Sequence, residues 1–139
     1  MASETINPSD PGSASPQAYR KVLLVRPEFL NHSGTLFGGY LMQWADEMAY
    51  IAASLKYPHC QFVTKLFGEF NFVTPVRMGE IITLFSEVTA EGTTSCQVKV
   101  WAVNETRKQE VFRTQAVMVN VVDGKKQAIA QASTGSVLR

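Results

Sequence analysis

Cysteine and histidine, the residue types that most often announce a metal site or a redox function, are scarce in this chain, which holds two of each. Cys60 and Cys96 have neither the paired spacing of a zinc site nor the density of a disulfide scaffold, so both read as small core residues. No metal site is expected. An excess of one charge is missing as well: 13 Lys and Arg stand against 12 Asp and Glu, a formal net charge of +1. That balance argues against a nucleic-acid or membrane partner, so an anionic ligand has to be met by a few local groups. No apolar run approaches the roughly 20 residues that span a bilayer, and the start of the chain lacks the charged and apolar segments of a secretion signal. A cytoplasmic address is the expectation. There is no internal repeat either.

What is present is a 45% hydrophobic content in 139 residues, enough for one domain with a proper core and too little chain for two. Residues 1–17 include three prolines and almost no large apolar side chain, so a disordered tail is expected there. The domain is expected over 18–125, followed by a small polar tail over 126–139. From Tyr19 a β-branched run reads as a first strand, stopped by Arg26-Pro27. Turn chemistry at Asn31 to Thr35 and the Gly38-Gly39 pair then lead into about seventeen residues of helical spacing that end near Leu55. After Pro58 the period becomes two, predicting one long strand from Phe62 to Val73 and three further strands in hairpin order over 80–90, 94–103 and 110–122.

The helix is the informative element. At about 100° per residue, Leu41, Trp44, Ala45, Met48, Ile51, Ala52 and Leu55 fall in an arc of roughly 120°, the face expected to pack on the sheet. The opposite side carries Gly39, Met42, Ala49, Tyr50 and Ala53 with Asp46 among them, which is too apolar for water alone. A second copy of the chain is the expected cover, since a two-fold dimer also pairs open strand edges. Asp46 then lies near a subunit boundary, where it either activates a water or attacks a carbonyl, or else simply pairs with a cation or faces solvent. Gly38 and Gly39 have two readings as well. They expose unpartnered N–H groups at the positive end of the helix to a developing oxyanion, or they relieve crowding in a tight turn.

The run Asn31-His32-Ser33-Gly34-Thr35-Leu36-Phe37-Gly38-Gly39, with Leu41-Met42 and Ala45-Asp46-Glu47 after it, resembles the bacterial and cytosolic acyl-CoA thioester hydrolases of the hotdog fold. The likeness continues through Val63-Thr64, Phe72 with Pro75, Val76 to Glu80, and Gly92-Thr93-Thr94-Ser95, covering residues 19 to 122. It implies an α+β hotdog fold: a long central helix wrapped by a curved antiparallel sheet of about five strands. Two such sheets join in a homodimer, and dimers commonly assemble further into hexamers as a trimer of dimers. The implied function is hydrolysis of fatty acyl-CoA to free acid and coenzyme A, with no cofactor beyond the coenzyme A of the substrate. The family's acid matches Asp46, and its glycine turn, supplied by the facing protomer, matches Gly38 and Gly39. Thr35 stands where some members carry Asn or Asp, a side chain that can orient water or bond the thioester oxygen. The departure leaves open whether Asp46 is a general base or a nucleophile that forms an anhydride. Asn31, Thr64 and the turn Gly92-Thr93-Thr94-Ser95 match positions for substrate or coenzyme A, although as a bare string the last is also an ordinary hairpin turn.

Arg77, together with Arg107 and Lys108, is a candidate for the coenzyme A phosphates against the alternative of a solvated surface cation. His32, in the turn ahead of the glycines, and His59, at the helix exit, are read as structural. The aromatic set Phe67, Phe70, Phe72 and Phe85 is read as core more than as acyl tunnel. A hydratase of the same fold uses a helix histidine that this chain lacks. A non-catalytic acyl-CoA-binding or sensing module is the alternative, and the retained Asp46 argues against it.

Overall fold

The computed structural model describes residues 15–130. Of the two expected tails, only Ser15 to Gln17 and Lys126 to Ala130 are among the described residues. The elements are β1 (Tyr19–Leu24), a 3-10 turn (Pro27–Phe29), α1 (Gly38–Lys56), β2 (Phe62–Phe67), β3 (Asn71–Phe72), β4 (Ile81–Glu91), β5 (Ser95–Asn104), β6 (Gln109–Val122) and β7 (Lys125–Lys126). One antiparallel sheet runs in the order β1-β4-β5-β6-β2, with β3 and β7 also paired to β6. This is the hotdog arrangement that the resemblance implies, with α1 packed across the strands. No helix among the described residues is long and apolar enough to cross a membrane. At the C-terminal end Ile129 is buried and its N–H donates to the Thr93 carbonyl, so the packed structure continues past β7.

The inner face of the sheet is built from alternate positions, as a half-buried pleat requires. Ile82 and Leu84 of β4, Val98 and Val100 of β5, and Phe112, Ala116 and Met118 of β6 are buried against Met48 and its neighbours on α1. Three register irregularities, after Thr64 in β2, after Val88 in β4 and after Ala102 in β5, bend the long strands around the helix.

Three expectations need correction. The single strand expected from Phe62 to Val73 is two strands. Gly68 makes one last bond to β6, its N–H donating to the Gln115 carbonyl, and the pairing then lapses until Asn71, as a glycine inside a strand pattern weakens it. The buried helix face is also turned from the expected one: Ala49 and Ala53 are buried, whereas Ile51 is 36% and Leu55 59% exposed. Small side chains let the sheet approach the helix on the Ala49–Ala53 side, which hydrophobicity alone does not reveal. Finally, the aromatic set divides. Phe70, Phe72 and Phe112 pack against one another, Phe85 stacks on Trp101 in a separate cluster, and Phe72 is 52% exposed.

Candidate functional site

The turned helix face places Asp46. Around an ideal helix Asp46 lies about 20° from Ala53 and about 60° from Ala49, so it sits at the rim of the buried face, exposed on the protomer. There Thr64 of β2 donates its hydroxyl to Asp46 Oδ1 at 2.6 Å, a charge-assisted geometry that fixes the carboxylate and leaves Oδ2 without a partner among the described residues. The irregularity that follows Thr64 re-aims its side chain relative to an even pleat. One turn to either side of Asp46 on the helix, Met42 and Tyr50 are exposed, so the acid lies in an uncovered apolar helix face.

A second group of expected residues comes together at the N-terminus of the helix. Asn31 Oδ1 accepts from the Ser33 N–H at 2.9 Å, the Thr35 N–H at 3.1 Å and the Thr35 hydroxyl at 3.3 Å, closing an Asx turn. The turn passes through Gly34 at φ +80°, where a side chain would be strained. Leu36 N–H donates to the Val76 carbonyl and Phe37 N–H to the Phe29 carbonyl, which pins the entry into α1. Phe37 offers no side-chain cap, so the first-turn N–H groups at Gly38 and Gly39 are presented without one. A Cβ at Gly39 would lie 2.5 Å from the Phe37 ring, a half-exposed side chain free to turn aside. Gly38 opens instead on a groove of about 340 Å³ with apolar walls from Leu36, Leu41, Phe72, Val73 and Val76. Its hydroxyls are Thr35 and Thr74, and Thr74 donates to the Glu110 carbonyl at 2.6 Å.

The segment 74–77 that forms one wall is anchored by a carboxylate whose role sequence reasoning missed. Glu80 is 8% exposed and accepts from the Arg77 N–H at 2.8 Å, from Asn104 Nδ2 at 3.0 Å and from the Arg107 guanidinium. Burial alone raises its pKa. The Arg77 N–H, the Arg107 guanidinium and the Asn104 amide outweigh it and hold the carboxyl below its ordinary value. The donors are 24 and 27 residues away in the case of Asn104 and Arg107, so no local pattern signals them.

Of the remaining expected residues, Arg77 lies beside the glycine turn, its backbone bridged to Thr35, and the others lie elsewhere in the protomer. Gly92, Thr93, Thr94 and Ser95 form the β4–β5 turn, with the Gly92 N–H on the Ser95 carbonyl and the Thr93 and Thr94 carbonyls holding Ile129 and Asn120. Glu91 accepts from the hydroxyl of Tyr57, the residue that ends α1, so this turn lies near the C-terminal end of the helix, roughly 27 Å along the axis from Gly38. Arg107 and Lys108 are paired with Glu80 and Glu105, whereas Arg77 is exposed and has no ion pair among the described residues. His32 and His59 are exposed and outside the helix. Burial, with Glu91 nearby, pushes the Cys60 thiol up and takes that of Cys96 to about 11, so neither is poised as a nucleophile. Among the described residues no group of three or more His, Cys, Asp or Glu side chains could hold a metal ion.

Comparison with known proteins places these features in context. The model of a family described as the thioesterase superfamily matches residues 33–111. The acyl-CoA thioester hydrolase YciA of Salmonella typhimurium is 30% identical over 110 residues, which cover 73% of this chain and 82% of that protein. Protein VdlD of Helicobacter pylori is also 30% identical, over 106 residues, and there the match spans only 60% of the relative's length. Among solved structures, an acyl-CoA hydrolase from Staphylococcus aureus, in complex with butyryl coenzyme A, coenzyme A and coenzyme A disulfide, aligns with a TM-score of 0.73 at 30% identity. The alignment covers 81% of this chain and 68% of that one.

Proposed function

This chain belongs to the thioesterase superfamily, and on that premise we propose that it is an acyl-CoA thioester hydrolase whose active site is shared between two copies. The observation that carries the proposal is the Asp46–Thr64 pair at the edge of an uncovered apolar helix face. An aspartate there can deprotonate a water or attack the thioester carbon itself. Either route forms a C–O bond, breaks the C–S bond and releases coenzyme A as the thiol once it takes a proton.

The developing oxyanion needs donors within about 3 Å. Asp46 and Gly38 of the same chain are eight residues apart on one helix, about 12 Å along its axis, so they cannot serve one carbonyl together. The Gly38 and Gly39 N–H groups of a facing protomer serve it instead. A second copy laid on Met42 and Tyr50 also covers the exposed helix face around the acid. Further assembly of dimers into a trimer of dimers is part of the same reading. Arg77, with no ion pair among the described residues, is the cation assigned to the coenzyme A phosphates, and the Gly92–Ser95 turn reaches the ligand from a neighbouring copy. Thr35 and Asn31 shape the glycine turn.

Residue spacing in a relative supports these assignments. Further structures of the Staphylococcus aureus hydrolase carry alanine in place of an asparagine, an aspartate and a threonine. Its asparagine and aspartate are 15 positions apart, as are Asn31 and Asp46, and its threonine follows the aspartate by 17 positions where Thr64 follows Asp46 by 18.

The test is release of free thiol from acyl-CoAs of graded length by the wild type and by Asp46→Ala. Turnover by the wild type, with a loss of at least about a hundredfold in a variant that still binds coenzyme A, is the expected result. Binding without hydrolysis by both proteins overturns the enzyme reading in favour of an acyl-CoA-binding module. Equal activity in both removes Asp46 from the mechanism.

A further inference from the structure

We infer that the groove beside the N-terminus of α1 receives the acyl chain of the substrate, that it selects unsubstituted aliphatic chains, and that Phe72 sets how long a chain fits. The inference rests on the hydrolase reading and extends it to substrate class. The groove opens at Gly38, where a Cβ would lie 3.8 Å from the Phe72 ring, so a carbonyl held by the first helical N–H groups has its acyl side directed past Phe72. Its lining has no charged side chain. Of its two hydroxyls, Thr74 is spent on the Glu110 carbonyl and Thr35 on Asn31 Oδ1. Beyond the backbone N–H groups at the mouth, which hold the carbonyl, no side chain of the groove is left to donate to a carboxylate or hydroxyl on the incoming chain. Burying such a group without a partner is unfavourable, whereas each buried methylene improves binding by about fourfold.

Phe72 is placed to set the limit. It lies on the two-residue strand β3, 52% exposed, with one face stacked on Phe70 at 5.7 Å between centroids. The ring is thus held at the groove wall instead of being lost in the core. The groove, of about 340 Å³, is open along one side, so the Phe72 ring is the feature of its wall that can limit the chain. An aliphatic chain is the class that this lining fits.

The experiment measures affinity for non-hydrolysable S-alkyl-CoA thioethers, from ethyl to hexadecyl, in the wild type, Phe72→Ala and Phe72→Trp, beside hydrolysis of the matching acyl-CoAs. Wild-type affinity should climb by up to about fourfold per carbon and then level off. The plateau should move to longer chains in Phe72→Ala and to shorter ones in Phe72→Trp, with affinity for coenzyme A itself changed less than about twofold. Succinyl-CoA should be turned over at least tenfold less efficiently than butyryl-CoA. An identical plateau in all three proteins, or a change in coenzyme A affinity with the length profile intact, overturns the inference. If Phe72→Ala fails to fold, Phe72→Trp alone decides, because a shortened plateau is required of it. A wild type that shows the length-dependent affinity without any hydrolysis sinks the hydrolase reading and leaves the groove assignment standing.

Discussion

Replacing Glu80 by Gln isolates the charge in the carboxylate that anchors the wall of the groove. The glutamine keeps one oxygen to accept from the Arg77 N–H and Asn104 Nδ2, and it presents an amide to the Arg107 guanidinium, donor against donor. A hydrogen bond to a charged group contributes about 1.5–3 kcal/mol, and the Arg107 side chain is 45% exposed, so solvent screening reduces the loss to about 1–2 kcal/mol. For a domain of this size that corresponds to a fall in Tm of about 4–8 °C. The sign of the pH dependence follows from linkage. Glu80 has its folded pKa below its ordinary value of 4.5, so it adds stability that is complete above that value and lost as pH falls through the folded pKa. Thermal unfolding by circular dichroism at one protein concentration, since assembly shifts Tm, should therefore show the full gap between wild type and Glu80→Gln at pH 7. The gap should close as the pH is lowered through the carboxylate range. Equal melting at pH 7, or a gap that persists undiminished in acid, refutes the reasoning.

Thr64→Val removes the hydroxyl that holds Asp46 Oδ1 and should lower kcat by about tenfold, the kinetic equivalent of a hydrogen bond near 1.4 kcal/mol, with the melting temperature little changed. Met48→Ala empties a site that is 2% exposed in the middle of the helix–sheet contact and should destabilise the protein by about 2–5 kcal/mol, read from chemical denaturation. Cys96 should resist a thiol reagent at pH 7.5 in the native state and react fully once unfolded, because its side chain is buried out of the reagent's reach; rapid native labelling of Cys96 would contradict its placement.

Much of this architecture was legible because it is periodic. The 3.6-residue spacing from Leu41 to Ala52 marks α1, and the alternation in β4, β5 and β6 marks the hairpins. The failures occur where a local pattern is ambiguous or a partner is remote. Alternation continues straight through Gly68, so the break between β2 and β3 leaves no trace in the period. Alanines at 49 and 53 add little hydrophobicity, yet their small size brings the sheet to that side of the helix and carries Asp46 to the seam with β2. Thr64 lies 18 residues from the acid it holds and was found only through resemblance. The Glu80 network and the exposure of Phe72 depend on long-range packing that a single sequence does not display.

The shared active site is tested most directly by mixing two inactive variants. Asp46→Ala keeps the helix N-terminus intact, and Gly38→Leu keeps the acid while filling the mouth of the groove next to Phe72. If acid and oxyanion donors come from different protomers, co-refolding equal amounts makes mixed dimers with one intact site each, and thiol release from butyryl-CoA should return to about a quarter of the wild-type rate. A mixture that stays as inactive as its two components would contradict the shared site and place the whole chemistry within one chain.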